Sequence, residues 1–390
     1  MKNSKLLVTL TISISSLIGI YLVELGVSFY NPQNKLINWD RRPLIEVYED
    51  EKNAKSGVSI PIFPYLFIND DKNHVLNSFG GVYPVGGLED TATYMCNEWG
   101  EYNQFTSDKF GLNNDNSVYD APQINLLIGD SFAFGACLDA PDTLAGNLDN
   151  LLDGDILNLS YSGNGPLLSL KTIADIIPNS VGEIESVVYV YFAGNDFENL
   201  NDELQNQHLS SYLRCTDLKD CNPHGIKELN LYEEKKIFLD SLLAESKKTN
   251  IKEMVNSIKG FVLLRNIRKF LIPISFRDHI LTTFDWNYDA FEKTLASFYT
   301  LAENNNAPGI FVYLPDNKGS SRNHNYDYNK AKVLEIAEES ELKVIDFEKY
   351  AIEIGLSTSP SHLGGFGHHT PEANQILADL ISTAIQNYDQ

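Results

Sequence analysis

The chain is 390 residues long, 43% hydrophobic and 21% charged, with a formal net charge of −23. That length supports a large core and more than one structural unit, and the composition is that of a folded globular protein. The acidic balance excludes nucleic acid as a partner and argues against charge-driven docking on anionic lipid.

Residues 6 to 23 carry no charged side chain, and eighteen such residues are just enough to cross a bilayer as a helix. Lys2 and Lys5 precede them, which keeps the short N-terminus cytoplasmic and exports the bulk of the chain. The first alanine is Ala54, so there is no Ala-x-Ala cleavage site, and residues 1–30 are expected to be an uncleaved, single-pass membrane anchor.

Residues 31–120 show no strand–helix alternation. They hold Pro32, Pro43, Pro61, Pro64 and Pro84, many aromatics and polar turns, and are expected to be short strands and loops packed on the main domain. Within them, Met95 to Tyr102 reads as part of a β-hairpin cover. Four cysteines, Cys96, Cys137, Cys215 and Cys221, allow three pairings, and export favours disulfides. Cys215 and Cys221 enclose only five residues, so a local bridge is the simplest pairing. Cys96–Cys137 then pins the N-terminal region to the loop after Ser131. Zinc is discounted, since no Cys-x-x-Cys or His-x₃-His pair accompanies the cysteines.

From Ile124 the pattern changes. The apolar run Ile124 to Ile128 reads as a buried strand running into Gly129-Asp130-Ser131. A helix over Thr143 to Leu152, capped by Asp142, follows, then a strand at 156–160 and a helix from Leu167 to Ile177 stopped by Pro178. Further strands are expected at 187–192, 309–314 and 343–347, the last two each preceded by a helix-length pattern. Repeated strand–helix units give a parallel sheet between helix layers, an α/β fold of three-layer α/β/α, flavodoxin-like type. An insertion at about 198–285 is too long for a plain crossover. Its stretch Phe261 to Ile272 is read as a lid helix over the site in preference to an amphipathic helix on the membrane surface.

Three of the strands end in distinctive loops. Ser131 follows the first, Tyr161-Ser162-Gly163-Asn164-Gly165-Pro166 the second, and Ala193-Gly194-Asn195-Asp196 the third. Near the C-terminus comes Gly364-Gly365-Phe366-Gly367-His368-His369-Thr370-Pro371-Glu372. In order and placement these blocks resemble those of the SGNH (GDSL-type) hydrolases, over roughly residues 121 to 388. Met95 to Tyr102 and Ser107 to Asn114 are also similar to a lead-in of membrane-anchored bacterial members. The resemblance implies that residues 121–390 form a hydrolase domain with Ser131 as nucleophile and His368 as base, His369 being the alternative base. It implies an oxyanion hole made of the Ser131 N–H, the Gly163 N–H (in preference to Gly165) and the Asn195 side chain.

One element departs from the family pattern, in which an aspartate stands three residues before the histidine. Here that residue is Gly365 for His368 and Phe366 for His369, and no acid lies between Glu353 and Glu372. Asp316, Asp346, a backbone carbonyl or no group at all are the candidates for orienting the imidazole. The implied chemistry is cleavage of an ester-linked acyl group on an extracytoplasmic glycan or lipid, with no cofactor and no metal. An O-acyltransferase of surface polysaccharide, or a non-catalytic polysaccharide-binding or assembly factor, is the alternative.

Overall fold

The computed structural model describes residues 15, 19–21, 40, 42–55, 57–68, 84–179, 182–215, 218–221, 231–244, 286–316, 324–356 and 367–388. The chain divides into one unit of residues 40–238 and 285–390 and a second of residues 1–39 and 239–284. The first unit holds all that follows. The expected anchor lies outside the described residues except at 15 and 19–21, and the Phe261 to Ile272 stretch lies wholly outside them. Among the described residues no helix is long and apolar enough to cross a membrane.

The N-terminal part of this unit is built as its prolines and turns suggest, from small pieces. Helix α1 (Leu44–Ala54) precedes strand β1 (Val58–Ser59), which pairs in parallel with β2 (Ala92–Tyr94), itself antiparallel to β3 (Gln104–Thr106). Between β2 and β3 the chain forms the expected hairpin: Met95 N–H donates to Asn103 O and Asn103 N–H to Cys96 O, both at 3.0 Å.

The main sheet is β4 (Gln123–Gly129), β5 (Asp155–Asn158), β6 (Glu183–Phe192), β7 (Gly309–Leu314) and β8 (Lys343–Asp346). All pairings are parallel and the spatial order is β5-β4-β6-β7-β8, an α/β arrangement consistent with a flavodoxin-like fold. Parallel strands need long crossovers. These hold α2 (Ser131–Phe134), α3 (Leu144–Asp149), α4 (Pro166–Ile176), α5 (Asp196–Leu204), α6 (Gln207–Ser211), α7 (Leu218–Cys221), α8 (Tyr288–Asn304) and α9 (His324–Glu339). Helices α10 (Phe347–Glu353) and α11 (Pro371–Gln386) follow the last strand.

Alternation along the strands sorts the core into two faces. Leu127, Val188, Val190, Ile310, Val312 and Leu314 pack on Leu144 and Leu148 of α3 and on Leu377, Ala378 and Ile381 of α11. On the opposite face Tyr189 meets Phe298 at 4.8 Å between ring centroids, and Tyr191 meets Phe291 at 5.4 Å, both partners lying on α8. Truncating any one of these buried leucines or isoleucines to alanine costs about 2–5 kcal/mol.

Most elements lie where the pattern predicts, with two local corrections. Helix α3 is capped by Thr143, whose hydroxyl accepts from Gly146 N–H at 3.0 Å, and not by Asp142, which lies in a 3₁₀ turn, Ala140–Asp142. Strand β6 begins at Glu183, four residues before its expected start, because Glu183 and Ile184 pair with Gln123 and Ile124 of β4. The described part of the insertion does not stand alone. Helices α6 and α7 pack against α4, and Lys235 is buried with its ammonium donating to Gly87 O at 2.7 Å and to Glu89 Oε1 at 2.5 Å.

Candidate active site

Parallel strands present their C-terminal ends on one edge, where ligands bind in such sheets. Gly129 at the end of β4 is in register with Val190 of β6. The loops after β4, β5 and β6 therefore share that edge, which brings the Ser131, Gly163 and Asn195 segments to one side of the sheet.

Ser131 opens α2 directly behind its cap, Asp130, whose Oδ1 accepts from Phe132 N–H at 2.9 Å. Asp130 is fully buried. Burial pushes its carboxyl up, against the pull of the Phe132 N–H, the charge of His368 and the Asn195 side chain. Its Oδ2 stands 3.5 Å from the Ser131 hydroxyl, at the outer limit of a hydrogen bond. The strong partner of that hydroxyl is His368, with Nε2 at 2.9 Å from Oγ.

The other ring nitrogen of His368 is held as firmly, by a residue the sequence reading did not select. Nδ1 lies 2.8 Å from Oε1 of Glu98, and the His368 backbone N–H donates to Oε2 of the same carboxylate at 3.0 Å. Neither Asp346 nor Asp316 fills this place. Asp346 caps α10 through Lys349 N–H and pairs with Lys330 at 2.8 Å, so its charge is already engaged. Asp316 lies half-buried, two residues past the end of β7. Glu98 comes instead from the hairpin between β2 and β3. Gly367 gives the carboxylate its room, since a Cβ at that position would lie 2.7 Å from Glu98 Oε1.

The disulfides are Cys96–Cys137 and Cys215–Cys221, with Cα separations of 5.1 and 5.6 Å, as the local-bridge reading expected. The first ties the Glu98 hairpin to the loop after α2. Its Cys137 sulfur lies 3.9 Å from His368 Nδ1. Among the described residues, Glu98, Cys137 and His368 are the one grouping close enough to share a metal ion. The sulfur is bonded to Cys96 and has no thiolate to offer, so this donor set does not suit one.

His369, the alternative base, is 2% exposed and turned away from that role. Its Nδ1 is 3.1 Å from Asn374 Oδ1, and its ring packs on Phe132 and Phe347. It is a core histidine joining α11 to α2 and α10.

Asn195 occupies the N-cap position of α5 but makes no capping hydrogen bond. Among the described residues its buried Oδ1 has no hydrogen-bond partner. A residue present only to cap would use its side chain for that. Gly163 has φ 80°, a left-handed conformation that favours glycine, and a Cβ there would lie 2.4 Å from Cδ1 of Tyr65. The four predicted residues Ser131, His368, Gly163 and Asn195 thus fall on loops of one sheet edge, with the first two in direct contact. The acid was missed because its position on the chain bears no local relation to the histidine. The available signal was the pairing of Cys96 with Cys137, which by itself places Glu98 beside the loop that follows Ser131.

A scan against protein-family models finds no match to this chain. A search of curated proteins finds no significant match either.

Proposed function

We propose that the protein is a serine ester hydrolase of the SGNH type, working through a Ser131–His368–Glu98 triad. The reading is carried by one observation, the continuous hydrogen-bonded chain from the Ser131 hydroxyl through both imidazole nitrogens to the Glu98 carboxylate. A serine hydroxyl needs a base within reach to attack an acyl carbon at neutral pH. With the ring proton on Nδ1 and shared with Glu98, Nε2 is free to accept the serine proton as Oγ bonds to the carbonyl carbon. The resulting imidazolium is stabilised by the carboxylate and then gives its proton to the leaving alcohol. Water, activated by the same nitrogen, releases the acid and regenerates Ser131.

The negative charge on the tetrahedral oxygen falls to the Ser131 and Gly163 N–H groups and the Asn195 amide, donors worth about 3 kcal/mol each in such sites. The substrate class is an O-acyl ester, such as an O-acetyl ester, of an extracytoplasmic glycan or a lipid, reached from a membrane anchor at residues 1–30. Cysteine pairing supports export, since both disulfides belong to an oxidising compartment.

The test is labelling of the full-length protein with a fluorophosphonate probe, beside Ser131→Ala and His368→Ala. Labelling of the wild type that both substitutions abolish is the expected result. A folded wild-type protein that does not label overturns the reading in favour of a binding or assembly factor.

A further inference from the structure

The catalytic carboxylate of this site is carried on a slight support. Among the described residues both hydrogen bonds of Glu98 go to His368 itself, so its position is set by the hairpin on which it rides. That hairpin belongs to a sheet whose strands are two, three and three residues long, below the size at which a hairpin holds its shape unaided. Polar bonds tie its tip to the chain near Asp40: Asn97 Nδ2 donates to Asp40 O at 2.8 Å, and Asp40 N–H to Gly100 O at 2.7 Å. Toward the nucleophile, Asn103 Nδ2 donates to Leu138 O at 2.9 Å, and beside that bond stands the Cys96–Cys137 disulfide. Cys96 lies two residues before Glu98, and Cys137 lies six after Ser131.

We propose that the Cys96–Cys137 disulfide is the positioning element of the triad, holding Glu98 on His368, so that opening the bridge disconnects the acid from the base. The proposal rests on the serine-hydrolase reading for its effect on turnover, although its effect on the Glu98–His368 bond stands apart from that reading. Triads lose most of their rate for displacements of about 1 Å, and a covalent link fixes the hairpin against the nucleophile loop at that scale. Cys96 is half-buried whereas Cys137 is 4% exposed, so a dithiol reductant attacks at Cys96. One thiolate forms a mixed disulfide with Cys96 and releases Cys137 as a thiol. The second thiol of the reductant then resolves that intermediate. Two electrons and two protons pass to the cysteines, and the reductant leaves as its own disulfide. Cys137 stands at the Nδ1 side of the imidazole, 3.9 Å away, and not at the nitrogen that faces Ser131, so both cysteines act as positioning residues.

The experiment uses the full-length chain with Cys215→Ser and Cys221→Ser, which leaves one bridge to open. Onto this background are placed Cys96→Ser with Cys137→Ser, Glu98→Gln, and all three together. The first readout needs no turnover: the downfield proton resonance of an imidazole N–H bonded to a carboxylate. Expected is its presence in the background protein and its loss in the cysteine pair variant and in Glu98→Gln alike. The second readout is hydrolysis of a short-chain nitrophenyl ester. The cysteine pair variant should lose kcat by about 10²–10⁴-fold, as triads do when the acid is removed, with KM little changed and with no further loss when Glu98→Gln is added.

Retention of the resonance and of kcat without the cysteines overturns the proposal, as do losses that multiply with that of Glu98→Gln. A resonance that depends on the bridge in a protein that never labels at Ser131 refutes the hydrolase reading and leaves the positioning role standing. Should the serine variants not fold, the folded background protein is titrated with dithiothreitol and mass-mapped. Activity or the resonance vanishing as the bridge opens, with helix content intact and recovery on reoxidation, supports the proposal. Helix content lost at the same point overturns it, because the bridge then holds the fold and not the glutamate.

Discussion

Glu98→Gln is the most informative single change in this molecule. Two N–H donors converge on the carboxylate, the His368 backbone N–H at Oε2 and the ring at Oε1. A glutamine offers one oxygen and one NH₂ in their place, so it can satisfy one donor alone. If the oxygen serves the backbone, the NH₂ faces Nδ1 and forces the ring proton onto Nε2, where it blocks acceptance from Ser131. If the oxygen serves the ring, the tautomer survives and the charge is lost. A carboxylate and an imidazolium about 4 Å apart attract by about 4 kcal/mol at an effective dielectric near 20. The two side chains are 24% and 19% exposed, so solvent screening reduces that to roughly half. At about 1.4 kcal/mol per decade, the charge alone is worth about 10–10²-fold, and the wrong tautomer carries the loss toward about 10⁴-fold. The expected result is a kcat lower by about 10²–10⁴-fold, measured on a short-chain nitrophenyl ester, with the thermal midpoint nearly unchanged. A Glu98→Gln enzyme within a few-fold of wild type, while His368→Ala is dead, refutes the triad described above.

Asn195→Ala should lower kcat by about 10²–10³-fold, as expected for one lost oxyanion donor, while costing no helix cap, because the side chain makes no cap bond. An unchanged kcat removes Asn195 from the oxyanion hole. Gly163→Ala places a methyl 2.4 Å from Tyr65 Cδ1 at a φ of 80°. The left-handed backbone alone costs about 1–2 kcal/mol in urea unfolding, and Tyr65→Ala in the same chain should recover the steric part only. Full stability of Gly163→Ala counts against the close packing of Tyr65. Glu203 is fully buried and its carboxyl is pushed up to about 8 by that burial, against N–H bonds from Leu167, Gly165 and Leu168. A raised folded value means that the folded protein holds a proton the unfolded chain has released. The resulting stability is present in full below the ordinary value of 4.5, and is lost as pH rises toward and through 8. Relative to Glu203→Gln, the unfolding free energy should therefore fall by about 1.4 kcal/mol per pH unit in that window. Urea titrations from pH 5 to 8.5 check the slope, and parallel curves for the two proteins refute it.

The sheet was legible because its strands are runs of β-branched and aromatic residues buried on both faces, such as Val187 to Phe192, which no amphipathic surface helix would carry. Ser131 and the Gly163 and Asn195 segments were legible for a related reason. Loops that follow parallel strands must gather at one edge, so order along the chain becomes proximity in space. The acid had no such rule to announce it. A search confined to the residues before His368 could not reach Glu98, 270 positions upstream, and Asp346 was attractive only while its pairing with Lys330 was unseen. The cap of α3 failed on a smaller scale. Asp142 and Thr143 are both good cap residues, and side-chain geometry alone chooses between them.

The Glu98 and Ser131 partners of His368 precede it by 270 and 237 residues. Contacts of such long range close late, after the chain between them has lost its freedom. Along the chain, the hairpin, the nucleophile strand and every strand of the main sheet precede the histidine. On the hydrolase reading proposed above, competence for chemistry then waits on the C-terminal part of the chain. On that reading, a chain that has not yet docked this segment holds Ser131 with no base beside it.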